Sequence, residues 1–226
     1  MFTIVVFAKN EEENIPFVVD RLLTRYDAGG IAFVLDGDIE PTARILMERR
    51  IRFIQGPDKG KGAAIRHAIG SIDSEFLVFM DADGSHDPDE IDGLLAPLMD
   101  DRAEMVIGSR FLGSSEELHG SMADRLRYAG NVSGNFVINA LWNRTGTKIT
   151  DAQNGFRSIK RRPFAALALE EDGFSIEQEM VIKCLKKGYR IREVPSFEKK
   201  RMFGRSHISN SHFFRFVACM IRNIPK

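Results

Sequence analysis

Cysteine is scarce in this chain, with only Cys184 and Cys219 among 226 residues. Both lie in apolar, helix-like surroundings, which excludes a disulfide-stapled scaffold and makes a reducing compartment the expectation. No charge sign prevails either. Thirty-two basic residues balance thirty-two acidic ones, so the global field of a nucleic-acid binder is missing and no nucleic-acid partner is expected. No apolar run approaches the ~20 residues of a membrane span. The chain opens directly into Phe2-Thr3-Ile4-Val5-Val6-Phe7 without a charged leader and cleavage site, so no signal peptide is expected. Together these absences suggest a cytoplasmic protein, soluble or peripheral at the cytoplasmic membrane face. A Walker-type Gly-x4-Gly-Lys-Ser/Thr is lacking, and no Gly-x-Gly-x-x-Gly follows an apolar run, which argues against ATPases and dehydrogenases. His67 and His86 lack the spacing of a zinc pair and read as structural.

What is present is an ordinary globular composition, 43% hydrophobic and 28% charged, long enough for one domain with a substantial core. Apolar runs near 3–8, 31–35, 52–55, 75–80 and 103–108 read as strands. Helical patterns near 14–26, 41–50, 61–72, 88–100 and 121–143 alternate with them. Pro16 and Pro41 stand where first helical turns would begin. That alternation predicts an α/β fold with a mostly parallel sheet flanked by helices. Further on come a short strand near 154–159, a helix over 176–187 ending at Gly188, a strand over 190–194, a basic loop, and a last helix from about 210 to 223. Residues 183–205 are strongly basic, opposed only by Glu193 and Glu198.

The run Phe76-Leu-Val-Phe-Met80 reads as a buried strand stopping at two carboxylates, Asp81 and Asp83. In an open α/β sheet ligands bind beyond the carboxyl ends of the strands. Residues i and i+2 of an extended segment face one way, so the pair suits one hard cation, Mg²⁺ or Mn²⁺, with a diphosphate completing its shell. A polar loop with Asp87 as helix cap before Pro88 is the bland alternative. Three earlier strands also end in polar or Gly-rich segments: Lys9-Asn10-Glu11, Asp36-Gly37-Asp38 and Asp58-Lys59-Gly60-Lys61-Gly62. Four such ends on one sheet edge favour a nucleotide cleft. Glu11 and Asp36 are suited to a base or ribose, and Lys61 to a phosphate.

The order Asn10-Glu11-x-x-Asn14, Asp36-Gly37, Gly60-Lys61-Gly62, Asp81-Ala82-Asp83 and Val106-Ile-Gly-Ser-Arg110 resembles the family 2 glycosyltransferases. Asp151-Ala-Gln-Asn-Gly-Phe-Arg157, Phe174-Ser-Ile-Glu177, Glu193-Val-Pro195 and Arg201-x-x-Gly204-x-Ser206 are similar to the dolichol-phosphate mannosyltransferase-like branch. The resemblance implies a GT-A fold over residues 1–226, with a nucleotide-binding half (1–110) and an acceptor half (111–226) ending in an amphipathic helix. It implies an inverting, metal-dependent transfer of sugar from a nucleotide diphosphate sugar to a polyprenyl phosphate. Carried over by position, Phe7, Lys9, Glu11, Asp36, Lys61 and Ala82 would line the nucleotide site. Asp81 and Asp83 would hold the metal, Arg110 would lie near the phosphates, and Arg125, Arg127, Arg201 and Ser206 would meet the acceptor phosphate. The chain departs from the family pattern at Lys9, Leu35 and His207.

A phosphate acceptor needs cations rather than a general base, since it is already anionic near neutrality, and arginine suits two-pronged phosphate contacts. Asp151 or Glu177 is the base candidate if the acceptor is instead a hydroxyl of a growing glycan, although Asp151 is better suited to ordering the Asn154-Gly155 turn. A non-catalytic nucleotide-sugar binding module is the third reading. Phe203, the run Phe213-Phe214-x-Phe216-Val217 and the nearby Arg215, Arg222 and Lys226 let the last helix lie in a membrane interface or pack on the core.

Overall fold

The computed structural model describes residues 1–116, 122–144, 146–203 and 211–224, with the backbone only for 122–124, 126–127 and 211–213. Seven strands form one sheet among the described residues: β1 (Phe2–Lys9), β2 (Ile31–Asp36), β3 (Arg52–Gln55), β4 (Phe76–Asp81), β5 (Met105–Ser115), β6 (Arg157–Lys160) and β7 (Ile191–Glu198). Their order is β3-β2-β1-β4-β6-β5-β7. All neighbours run parallel except β6, which is antiparallel to both β4 and β5. The sheet therefore has the expected mostly parallel α/β character. β5 crosses residue 110, so the two halves suggested by the sequence share one sheet.

The helices are α1 (Ile15–Leu23), α2 (Glu40–Glu48), α3 (Lys61–Ser71), α4 (Ile91–Met99), α5 (Met122–Leu141), α6 (Arg161–Ala165), α7 (Ile176–Lys186) and α8 (Ser211–Asn223). Pro16 and Pro41 do occupy first-turn positions. α1 buries Ile15, Val18, Val19 and Leu22, the i, i+3, i+4, i+7 stripe of a core-facing helix. Each such side chain contributes about 1.5–3 kcal/mol relative to exposure.

Strand alternation sorts the core into two layers. Val5, Phe7, Val34, Leu77 and Phe79 pack beneath α3 and α7. Ile4, Val6, Phe33, Val78 and Met80 pack beneath α1, α2 and α4. Strands buried on both faces read as continuous apolar runs, which is why β1, β2 and β4 were visible from composition alone.

Several boundaries differ from the sequence reading, and three of them bear on the site. β5 runs to Ser115 rather than stopping at 108, because a register shift between Ser109 and Ser114 carries its pairing with β7 further. Such bulges turn a strand and re-aim its side chains. Asp87 accepts a bond from Asp89 N at 3.1 Å and caps a 3-10 turn at Pro88–Glu90, after which α4 begins at Ile91. β4 ends at Asp81, and Asp83 lies in a turn whose Gly84 has φ +77°. The two carboxylates are therefore brought together by a turn rather than by strand alternation.

Candidate functional site

β2 and β3 lie on one side of β1 and β4 on the other, so the chain reverses direction in the sheet between β1 and β4. That switch point is where open α/β sheets leave a ligand crevice. The loops after β1 (Asn10–Asn14) and β4 (Ala82–Asp87) flank it.

Side chains from the loops lock this edge. Asn10, at φ 53°, accepts from Asp38 N at 3.0 Å through Oδ1. A Cβ on Gly37 would meet that oxygen at 2.4 Å, so glycine is required there. Asp36, closing β2, accepts from Asp58 N at 2.8 Å, and Lys9 pairs with Asp58 at 2.8 Å on the exposed rim. Phe7 lies in the core, edge-on to Phe79 with centroids 5.5 Å apart. Ala82 is buried and donates its N–H to Phe7 O at 3.1 Å, forming the crevice floor.

Lys61, from the first turn of α3, is inserted between carboxylates. Its Nζ is 2.8 Å from Asp81 and 3.0 Å from Glu177, and 5.9 Å from the Phe174 ring centroid. Burial alone would push the Lys61 ammonium down, but the attraction of Asp81 and Glu177 outweighs it and raises it above its ordinary value. Burial likewise opposes the Asp81 carboxylate, yet Lys61, His86 and Arg201 hold it below the usual range. Gly155 covers the cluster so closely that a Cβ there would lie 2.5 Å from Lys61 Nζ and 3.2 Å from Asp81. The first donors of α3 are taken as well: Gly62 N and Ala63 N bond Asp172 O at 2.7 and 3.2 Å. Lys61 thus reaches Asp81 rather than an open loop at the helix start.

Asp83 takes Ser85 N at 3.0 Å and Ser85 Oγ at 2.7 Å on Oδ1, while its Oδ2 is 3.1 Å from Arg201 Nη2. Arg201 Nη1 lies 3.8 Å from Glu11. Burial and the nearby Asp83 and Asp81 raise Glu11 above its ordinary value, against the lowering bond from Asn14. The structure therefore brings Glu11, Asp81, Asp83 and Arg201 together, with Lys61 behind Asp81. His86 is buried, accepts from Asp81 N at 3.2 Å and stacks on Phe156 at 4.7 Å; His67 is exposed.

A second cluster forms under the β5 bulge. Arg110 grips Asp151 with Nε at 2.8 Å and Nη2 at 2.9 Å, its backbone N–H adds a bond at 3.1 Å, and Nη1 lies 3.4 Å from Glu198. Asp151 is fully buried with both oxygens engaged, so it is not presented to a substrate as a base. Arg125 is exposed on α5. The Arg127 side chain and Ser206 lie outside the described residues.

Sequence reasoning passed over the scaffold of the 149–155 turn. Asn135 bonds Thr150 O and Ala152 N, and Asn139 bonds both Ile149 O and Ile149 N. Glu193 accepts from Thr150 N, Thr150 Oγ1 and Asp151 N. Fully buried Arg157 donates to Asn154 O and Glu177 O; burial pushes it down to about 10. Asparagine recurring every four residues (135, 139, 143) was the available signal, since it favours helices poorly and such a row marks a hydrogen-bonding face.

The donor set can be tested against a divalent cation. Its oxygens are hard carboxylates, and Arg201 already draws positive charge to Asp83 and Glu11. No group of three or more His, Cys, Asp or Glu residues able to hold a metal occurs among the described residues. One or two carboxylates with substrate phosphates and water suit Mg²⁺ or Mn²⁺, so the residues fit a cation that arrives with a diphosphate.

The sequence profile of "Glycosyl transferase family 2" matches residues 3–168. The chain belongs to that family. Glycosyltransferase AglJ of Haloferax volcanii is 30% identical over 192 residues, covering 83% of this chain and 59% of that protein. The low-salt glycan biosynthesis hexosyltransferase Agl6 of the same organism is 27% identical over 196 residues, covering 87% and 46%. This family 2 chain thus spans about half the length of these relatives. Glucosyl-3-phosphoglycerate synthase from Mycobacterium tuberculosis, solved with Mn²⁺, UDP and glucosyl-3-phosphoglycerate, superposes with a TM-score of 0.73 at 18% identity. That match covers 100% of this chain and 81% of the other, a likeness of fold.

Proposed function

We propose that this chain is an inverting, metal-dependent glycosyltransferase that moves a sugar from a nucleotide diphosphate sugar to a polyprenyl phosphate. One observation carries the donor half: Glu11, Asp36, Asp81 and Asp83 stand together at the carboxyl edge of β1, β2 and β4, at the switch point of the sheet. Residues 1–110 would hold the donor and 111–226 the acceptor. Glu11 and Asp36 bind the nucleoside, with Phe7, Lys9 and Ala82 forming floor and rim. Asp81 and Asp83 hold Mg²⁺ or Mn²⁺, which when bound neutralises charge growing on the leaving diphosphate. Lys61 fixes Asp81 in its charged form behind that site. Arg201 supplies guanidinium charge at the front.

The acceptor half is supported by the state of the two base candidates. Asp151 is enclosed by Arg110, and Glu177 is buried behind Lys61, which pairs with its Oε1, so neither carboxylate is presented to an acceptor hydroxyl. An acceptor phosphate brings its own anionic oxygen. That oxygen attacks the anomeric carbon as the bond to the nucleoside diphosphate breaks. Arg125, Arg127 and Ser206 remain our candidates for steering it, while Arg110, expected near the phosphates, is spent on Asp151 and Glu198. α8 exposes Phe214 and Ile221 beside Arg215 and Arg222, and exposed Ile224 follows it, a pattern suited to an anionic interface. No helix among the described residues is long and apolar enough to cross a membrane. Peripheral contact at the cytoplasmic face is our reading, and the buried free thiols of Cys184 and Cys219 agree with a reducing side.

The test is transfer of radiolabelled sugar from UDP- and GDP-sugars, with Mn²⁺, to undecaprenyl phosphate, to dolichyl phosphate and to water-soluble glycan acceptors. Label entering an organic-soluble, mild-acid-labile product is the expected outcome. Label entering only a soluble glycan would assign the acceptor as a hydroxyl.

A further inference from the structure

The segment Lys199–Phe203 is strapped across the crevice. Lys199 N bonds Ser85 O at 2.9 Å, Met202 N bonds Asp83 O at 3.1 Å, and Phe203 N bonds Asn14 Oδ1 at 3.2 Å. Met202 lies over Gly84, where a Cβ would be 3.2 Å from its Cγ. The strap therefore ties together the two loops that border the switch point, and Arg201 at its centre reaches carboxylates on both. Asp83 is heavily engaged in this arrangement: Oδ1 holds two bonds from Ser85 and Oδ2 holds the guanidinium. A cation bound through Oδ2 would share that oxygen with Arg201.

The geometry points to Arg201 as a place-holder for the divalent cation, so that metal entry at Asp83 ejects the guanidinium and loosens the 199–203 strap. This inference rests on the donor-site reading above and adds a coupling to it. A metal and a guanidinium compete for the charge on Oδ2 and repel each other there, so each weakens the other by the same factor. Once ejected, the guanidinium lies at the mouth of the crevice beside the cation, where a diphosphate offers the oxygens it prefers. The nucleotide then gains what Asp83 loses, and metal and diphosphate bind tightly together but poorly apart. Arg201 thus acts first on Asp83 and the strap, and on the diphosphate once it is displaced.

The experiment titrates the full chain with MnCl₂ in the absence of nucleotide, by calorimetry and by the loss of free-Mn²⁺ electron paramagnetic resonance signal. Wild type is compared with Arg201→Gln. The variant should bind Mn²⁺ roughly tenfold more tightly, yet bind UDP or GDP with saturating Mn²⁺ more weakly. In the wild type, Mn²⁺ alone should accelerate hydrogen exchange at the Met202 and Phe203 amides. That measurement stands even if the variant fails to fold. Equal or weaker Mn²⁺ binding by Arg201→Gln, or unchanged exchange at saturating Mn²⁺, overturns the inference. Nucleotide binding by the wild type with Mn²⁺ is scored separately. If it persists while the Arg201 effects are missing, the donor site stands and only the coupling falls.

Discussion

Two clusters in this molecule share one charge plan, a cation set between two carboxylates, and use it in opposite ways. In the first, Lys61 lies between Asp81 and Glu177; in the second, Arg110 lies between Asp151 and Glu198. The Arg110 fork closes on Asp151, which is 0% exposed, whereas the Asp81 side chain stays 30% exposed. Each cation reaches both oxygens of its carboxylate, Lys61 Nζ at 2.8 Å from Asp81 Oδ1 and Oδ2 and the Arg110 fork at 2.8 and 2.9 Å from Asp151, so what differs is how much of the carboxylate stays open. Lysine behind Asp81 thus leaves a charged carboxylate facing the crevice, and arginine on Asp151 makes a clamp that secures the 149–155 turn. With the same charge content, the two clusters differ in whether the carboxylate stays open to the crevice.

Removing a partner from the closed cluster should have the largest effect on stability. Asp151→Asn leaves a buried guanidinium underpaired, and we expect a loss of about 3–5 kcal/mol in urea unfolding. A loss under about 1 kcal/mol would erase the contrast between the clusters. Asp83→Ala should behave the other way. Its stability loss should be smaller, about 1–3 kcal/mol, since the bonds from Ser85 and from Arg201 are what it removes, while metal-dependent turnover falls at least ~10²-fold. Normal turnover with metal would remove Asp83 from the site.

These contrasts also mark what the sequence could convey. The crevice edge was legible because apolar runs ending in Asp36 and Asp81 report a buried strand and its carboxyl end in the same few letters. The pairing of Lys61 was not, because Glu177 arrives 116 positions later on α7 and no local spacing announces it. The turn-ordering role of Asp151 was read from the sequence, but its partner was not, for the same reason. Its type suits a base, but the Arg110 fork depends on a β5 bulge whose register shift has no sequence period. The turn at Gly84 likewise replaced the strand geometry expected for Asp81 and Asp83.

Smaller perturbations sharpen the comparison. Gly155→Ala pushes a methyl to within 2.5 Å of Lys61 Nζ; a cost of about 1–3 kcal/mol is expected, with reduced donor binding as Lys61 shifts from Asp81. Unchanged binding would show that Lys61 does not orient Asp81. Acid should dissect the open cluster gently. The Asp81 carboxylate is held below its ordinary value of 3.8, so its stabilisation is complete above that pH and is lost as pH falls toward the depressed folded value. The melting-temperature gap between wild type and Asp81→Asn should therefore close on acidification below pH 3.8, and a widening gap would contradict the Lys61 pairing. Arg125→Ala, on an exposed face, should change stability by less than about 0.5 kcal/mol; a larger shift in thermal melting would mean that Arg125 has a structural partner.

The most direct test of the donor crevice is thermal unfolding with UDP, GDP, CDP and dTDP, each with and without Mn²⁺, in wild type and Asp83→Ala. At ~100 times its dissociation constant, a ligand specific for the folded state stabilises by about 2.7 kcal/mol. We predict such stabilisation of the wild type by one nucleoside diphosphate, only with Mn²⁺, and its disappearance in Asp83→Ala. Folded wild-type protein indifferent to all four nucleotides, or stabilisation that survives in Asp83→Ala, would contradict the assignment.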